Sequence, residues 1–519
     1  YFSQLLITII LLLVVNSVLA QDTTQSLAFR NNKPQRKQPT FYRPDLAYQI
    51  WQQFKLTQEA NAGDPLAQHE LGLRYLLGEG IPADTVQAVY WIHKAAQTNL
   101  SAAKYNYGIM LINGIGVQWD PFSAFKYFKF AANAGMVQAQ YIVGILYTDN
   151  LIVKRNWNLA YYWIKKSADG KFEPASKIVT LLEPRISEEV VDSLFSIKKE
   201  DKSDKEFESD PKDPKLTSGI GLSFIDFESL TDSVIQITDS MIVADIETMA
   251  ADTIIQSFKK DTLYNFDEIS SSEKIKLLSE IADNGSPEAL TILGRMYEQG
   301  IYFNQNEITA ATYYYRALRN DSPKATHLLY QFAGRKEFID KLHSDAKNGN
   351  PDAEFTWYGL VSSGFDRTIT LDDAIKLLTS SALKNHIPSM IELGLNYYTG
   401  RFATADLERG IQIWKQAELL GSKEASVRLA ASRIFDSMVA TDVSKDFEIL
   451  KISADNGSLL AQVSIAMCYE QGIGTTKSIS EAVNFYRSAA QRGSQFAYER
   501  LKNIFDERRP NEQEFIISY

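Results

Sequence analysis

A chain of 519 residues with 45% hydrophobic content can bury several domains' worth of core, which excludes both a mini-protein and a disordered tail. Its formal net charge of -10 excludes a phosphate-tracking surface, because nucleic-acid binding needs clustered Lys and Arg. The single cysteine, Cys468, excludes disulfide staples, so packing must hold the fold.

Residues 5–15 read LLITIILLLVV and are followed by Asn16, Ser17, Val18, Leu19 and Ala20, then by the polar Gln21-Asp22-Thr23-Thr24. A short apolar core with small residues before a polar stretch predicts a secretory signal peptide over residues 1–20, cut after Ala20. The run is shorter than the roughly 20 residues of a bilayer span and lacks a basic stop-transfer cluster, so no stable membrane anchor is expected after cleavage. No Cys follows the cut to accept a lipid. The chain opens on Tyr1 without a Met, and the charged region that precedes such a core is expected upstream. Residues 21–44, with Arg30, Lys33, Arg36, Lys37 and Arg43, lack apolar periodicity and read as a flexible basic leader.

A first repeat array is expected over residues 45–183, opening on an entry helix with Trp51 and Phe54. Ala67, Ala103, Ala139 and Ala175 fall 36 apart, and Gly72, Gly108 and Gly144 keep the step, as do Ala88, Ala124 and Ala160. The aromatic set Trp91, Tyr127 and Trp163 keeps it too. Each unit reads as two helices around a glycine-bearing turn, the first unit over Pro65–Leu77 and residues 84–98. Turn residues such as Gly78, Gly80, Gly114 and Gly116 accept positive φ and close helices. No strand precedes them and no GxGxxG or GxxxxGK[ST] follows, so they are not a phosphate cradle.

The stretch from 184 to 270 reads as a linker. Residues 198–215, KKEDKSDKEFESDPKDPK, are too polar to offset the entropy of ordering and are expected to be mobile. Leu230, Val234, Ile237, Met241 and Ala244 then keep steps of four and three, which predicts one amphipathic helix.

A second array is expected over 271–505, with a tail over 506–519. Its anchors are Ala289, Ala325, Ala353, Ser389, Ala425, Ala461 and Ala497, with one short step of 28 between Ala325 and Ala353. The short unit shows no clear second helix, and Gly410 and Asp446 stand where the second helix has its alanine. Seventeen residues after the anchors stand Asp84, Asp120, Asn156, Asn306, Thr370, Asp406 and Ser478, all helix N-cap types. Glu481 lies three beyond Ser478 and predicts a capping box. Gly72 and Ala88 predict close helix approach, and Tyr75, Tyr147, Tyr297, Tyr397 and Tyr469 are expected to fill the space between helices.

Chemistry is sparse. His69, His93, His327, His343 and His386 include no HExxH and no pair at metal-ligand spacing, so no metal or cofactor is expected. Cys468 sits inside a repeat helix and reads as a small buried hydrophobe. Asp372 and Asp373 suit a helix start, and there is no GxSxG or SxxK. No enzymatic activity is expected.

The segments AQHELGLRYLLGEGIPADTVQAVYWIHKAA (67–96) and AQVSIAMCYEQGIGTTKSISEAVNFYRSAAQRG (461–493) resemble the Sel-one-like repeat family, a relative of the tetratricopeptide repeats. With weaker copies the resemblance covers about two thirds of the chain. It implies an all-α, α/α superhelical solenoid in two arrays that binds protein partners through a concave groove. By analogy with tetratricopeptide packing, that groove is lined by His69, Leu73, Tyr105, Ile109, Asn113, Tyr141, Ile145 and Asp149 in the first array. In the second array it is lined by Thr291, Arg295, Glu298, Ile391, Tyr398, Val463, Met467 and Glu470. Each of these residues either anchors a ligand or completes packing between repeats. Lys126 and Lys129, on a second helix, are expected to face away from the groove. The readings consistent with such a chain are a scaffold of the Gram-negative cell envelope, periplasmic or secreted, and an adaptor of a ubiquitin ligase in the endoplasmic-reticulum lumen. The second expects a KDEL-like signal that Ile516-Ile517-Ser518-Tyr519 does not display. A third, a secreted β-lactam-binding or hydrolase-like repeat protein, depends in the family on a disulfide in every repeat.

Overall fold

A computed structural model describes residues 46–182, 271–435 and 443–517, and among them every regular element is helical. The expected signal peptide, basic leader and charged linker with its helix lie outside the described residues. The described residues fall into two compact units, 46–182 with 504–517, and 271–435 with 443–503.

In the first unit α1 (Leu46–Ala62) leads into three helix pairs, α2 (Pro65–Leu77) with α3 (Thr85–Ala96), α4 (Ser101–Asn113) with α5 (Pro121–Asn133), and α6 (Val137–Asp149) with α7 (Trp157–Asp169), followed by α8 (Glu173–Leu182). In the second unit α9 (Ser271–Asp283) precedes α10 (Pro287–Gln299) with α11 (Glu307–Arg319), α12 (Ala325–Ala333) with α13 (Lys336–Lys347), and α14 (Pro351–Ser362) with α15 (Leu371–Leu383). Then come α16 (Ile387–Thr399) with α17 (Leu407–Leu419), α18 (Lys423–Phe435) with α19 (Val443–Asp455), α20 (Leu459–Gln471) with α21 (Ile479–Gln491), and α22 (Gln495–Asp506).

All seven N-cap residues cap. The Asp84 carboxylate accepts from the amides of Val86 and Gln87, and Asp120, Asn156, Asn306, Thr370, Asp406 and Ser478 do the same at their own helices. The cap residue's own amide is spent elsewhere. Asp84, Asn156, Asn306, Asp406 and Ser478 donate to the carbonyls of Tyr75, Tyr147, Tyr297, Tyr397 and Tyr469, tying each second helix to the end of the first. This explains why only half of the expected capping box forms at Ser478: its hydroxyl accepts from Glu481 N, but its own amide already has the Tyr469 carbonyl at 2.9 Å.

Six first helices close on a left-handed residue, as at Gly78 with φ 72° and its amide on Arg74 O and at Asn150 with φ 59°, whereas α12 and α14 close on the right-handed Gly334 and Ser363. Close approach is equally tangible. A Cβ on Gly72 would lie 2.5 Å from Ile92 Cγ1, and one on Gly394 2.4 Å from Trp414 Nε1. The departures from the repeat have local reasons. At Gly410 a Cβ would meet Gly394 O at 2.8 Å, so even alanine would crowd this site. Asp446 is buried and receives Arg433 Nε at 2.9 and 3.0 Å. The unit after Ala325 does have a second helix, α13. It is short because α12 has 9 residues and only Gly334 and Arg335 separate the pair.

Candidate functional site

The residues expected to line a concave face in the first unit are interior. His69, Leu73, Tyr105, Ile109, Tyr141, Ile145 and Asp149 are buried, and Asn113 is half-buried. Tyr105 meets the Phe128 ring edge-on at 5.8 Å and Tyr141 meets Phe172 at 5.3 Å, while Asn106 Nδ2 donates to His69 Nε2 at 2.8 Å. The His69–Asn106 bond joins one repeat to the next, while the two tyrosine contacts lie within single repeats. Most of the residues of α4 and α6 are buried. Burial alone lowers the His69 pKa to about 4.

In the second unit the expected residues divide. Ile391 and Thr291 are buried, Thr291 with its hydroxyl 3.0 Å from that of Ser322. Tyr398, Val463 and Met467 are half-buried. Glu298 and Glu470 occupy equivalent positions and do the same job: each accepts the hydroxyl of the tyrosine sixteen residues on, Tyr314 at 2.7 Å and Tyr486 at 2.8 Å. Arg295 and Arg335 complete the first cluster and Arg500 the second. Burial, then the neighbouring carboxylate, pushes both tyrosines far above the ordinary phenol range.

Sequence reading missed the polar interior of this unit, because its members are far apart in the chain. Glu392 receives Arg319 Nε at 2.9 and 3.1 Å and lies within 3.4 Å of the hydroxyls of Tyr315 and Tyr358. Arg492 grips Glu288 at 2.7 and 2.8 Å across 204 residues, and Arg316 and Arg428 flank Glu424. Burial opposes ionisation of Glu288 and Glu424, yet the guanidinium groups hold both carboxyls below the usual range. These charges are matched within the unit, and their work is to fix repeat against repeat.

His386 Nδ1 lies 2.7 Å from the Ser389 hydroxyl and 3.0 Å from that of Ser381, with its Nε2 3.0 Å from Asp352, and both hydroxyls are fully buried. Burial pushes the Cys468 thiol up to about 12, where no thiolate is present at neutral pH. Among the described residues no group of three His, Cys, Asp or Glu is placed to hold a metal ion, and no helix is long and apolar enough to cross a membrane.

The first unit presents exposed apolar side chains on α3, α2 and α1. On α3, Val86 and Tyr90 stand one turn apart and are 69% and 53% exposed, with Lys94 Nζ 5.7 Å from the Tyr90 ring centroid. Leu77 at the end of α2 and Phe54 on α1 are exposed as well. One repeat later, in the equivalent positions on α5, stand Phe122 and Lys126, and there the face is covered by the segment that follows residue 504. Phe515 is fully buried, edge-on to Phe122 at 5.2 Å and to Phe125 at 6.0 Å. Lys126 pairs with Glu512 at 2.6 Å, and Lys129 pairs with Glu514. Arg509 donates to the carbonyls of Leu151 and Ile152 at 2.8 and 3.1 Å. The lysines expected to be idle therefore hold the stretch expected to be a tail.

The Sel1 repeat model matches residues 65–98, 101–136, 137–172, 287–322, 387–422 and 459–494, so the chain carries six Sel1 repeats. The mouse protein DAP3-binding cell death enhancer 1 is 31% identical over 107 residues, covering 21% of either chain. The chitin synthase regulator SKT5 of Saccharomyces cerevisiae is 22% identical over 46% of this chain and 37% of its own length. The chain thus spans about a fifth to a little over a third of these curated relatives. Among solved structures, a protective antigen of uropathogenic Escherichia coli displaying an SLR fold is 20% identical over 87% of this chain and 82% of its own, with a TM-score of 0.30. A Sel1 repeat protein from Oxalobacter formigenes is 16% identical over 91% and 98%, with a TM-score of 0.25.

Proposed function

Taking six Sel1 repeats as the premise, we propose that this chain is a non-enzymatic scaffold that binds partner proteins, exported to the bacterial cell envelope and working there as an adaptor. The observation that carries the reading is the exposed pair Val86 and Tyr90 on α3, with the half-buried Lys94 beside the Tyr90 ring. Exposed aromatics on a fixed helical face are the usual anchors of protein interfaces. The regulator and binding functions in the relatives' names agree with an adaptor. Export rests on the apolar core of residues 5–15 and the small residues before Gln21.

Two measurements test the reading. The double variant Val86→Asp, Tyr90→Asp should melt like the parent and lose partner capture by roughly thirtyfold, the effect of removing a central anchor worth about 2 kcal/mol. Full capture by the folded double variant would refute α3 as the binding face. Intact mass of the exported protein should begin at Gln21, and retention of residues 1–20 would refute cleavage.

A further inference from the structure

The segment after α22 is held as a bound peptide is held. Among its described residues, 507–517, the 3-10 turn Gln513–Phe515 is the only regular structure, and its side chains reach into a folded face. Each feature has a counterpart on the helical side. Two glutamates two residues apart, Glu512 and Glu514, meet two lysines three residues apart on one face of α5, Lys126 and Lys129. The next side chain, Phe515, fills a slot walled by Phe122 and Phe125, with Lys126 Nζ 5.6 Å from its ring centroid. Arg509 anchors the start of the segment on the carbonyls of Leu151 and Ile152, and its Nη1 also donates to Phe515 O at 3.0 Å. Phe125 also meets Tyr147 at 5.7 Å, and burial, then the Glu514 charge, pushes that phenol up to about 12.

We propose that this face of α5 is a docking site for acidic segments of the form Glu-x-Glu-Phe, and that the chain's own Glu512-Gln513-Glu514-Phe515 is its resident, exchangeable occupant. The site goes beyond the scaffold reading and rests on different residues from those of α3. Its chemistry selects for two carboxylates and an adjacent aromatic: an acidic segment without the ring leaves the slot empty, and an aromatic segment without the acids leaves both lysines unmatched. Lys126 and Glu512 are both about half exposed, so the pairing is screened by salt and the segment can leave without unfolding the repeats. A partner carrying the same pattern competes with the resident segment, and its apparent affinity is reduced by the fraction of sites the resident fills.

A labelled peptide of residues 507–517 titrated against the full-length chain tests this. The parent, its site filled, should bind weakly, and full-length Phe515→Ala should bind at least about tenfold more tightly. A second way of emptying the site, Glu512→Lys with Glu514→Lys, touches two partly exposed residues and should have the same effect, so misfolding of one variant does not leave the question open. Adding Lys126→Glu and Lys129→Glu to the emptied chain should abolish binding of the native peptide and restore binding of a peptide in which both glutamates are lysine. The proposal is overturned if the parent and both emptied chains bind equally, if no emptied chain binds, or if the charge-reversed chain still prefers the native peptide.

Discussion

Replacing Gly294 with Val probes the repeat frame at a close contact between the two helices of one repeat. A Cβ there would sit 2.5 Å from Tyr314 Cε1 and 2.6 Å from Cδ1, with Ala310 O at 3.2 Å, so the ring or the helix must move. Tyr314 is fully buried and its hydroxyl holds Glu298 at 2.7 Å, which leaves the ring little room. Overpacking of this kind costs about 1–3 kcal/mol. A lost bond to a charged acceptor adds about 1.5–3 kcal/mol if the ring swings away. Against that, removing a glycine from mid-helix returns about 0.5–1 kcal/mol. The net is a destabilisation of about 0–2.5 kcal/mol if the bond is kept and about 1.5–5.5 kcal/mol if it is lost, local to α10 and α11. Gly334 is the contrast: its nearest atoms would be 3.6 and 3.7 Å away and its φ is -77°, so Gly334→Ala should be neutral or stabilising by about 0.4–1 kcal/mol. Repeat arrays need not unfold in one step, so the assay is urea unfolding of the full chain combined with amide exchange resolved to each helix. Parent-like unfolding and exchange in Gly294→Val, or equal damage from Gly334→Ala, would refute the argument.

Asp84→Ala and Asp120→Ala should each cost about 1 kcal/mol by freeing two amides at α3 and α5, read as faster exchange in the first turn of those helices. Stability should fall as the pH drops through the interval from 6.5 to about 4, because the unfolded chain takes up a proton on His69 before the folded one does. A shift of that size corresponds to roughly 3 kcal/mol, and His69→Asn should flatten the urea midpoint over the same interval. Cys468, fully buried with its thiol raised to about 12, should resist a thiol reagent at pH 8 until urea unfolds its repeat. Immediate labelling in the folded chain would contradict that burial.

The repeat itself was legible because it is written in local chemistry. Asp84, Asn306 and Ser478 cap a helix through atoms two or three residues away, and Gly72 and Gly394 have a single physical use at a fixed offset, so spacing alone finds them. The surface was harder to read. A position two or six residues after an anchor becomes groove or interior according to how neighbouring helices pack, and Tyr105 and Tyr141 are interior. Contacts across long sequence distances left no periodic trace at all. Glu288 with Arg492, and Lys126 with Glu512, are ordinary charged residues in the chain, and only the folded solenoid shows what each one faces. The short unit after Ala325 was misread for a related reason: a two-residue turn gives no glycine-rich signal, so α13 merged into its neighbour.

The scaffold claim is tested most directly by site-specific photocrosslinking in cells, with the crosslinking residue placed at Tyr90 on α3 or at Asp169, which is exposed at the end of α7 in the same unit. The account predicts a discrete protein adduct from position 90 and none from position 169. Equal adducts from both positions, or an adduct from 169 alone, would contradict it.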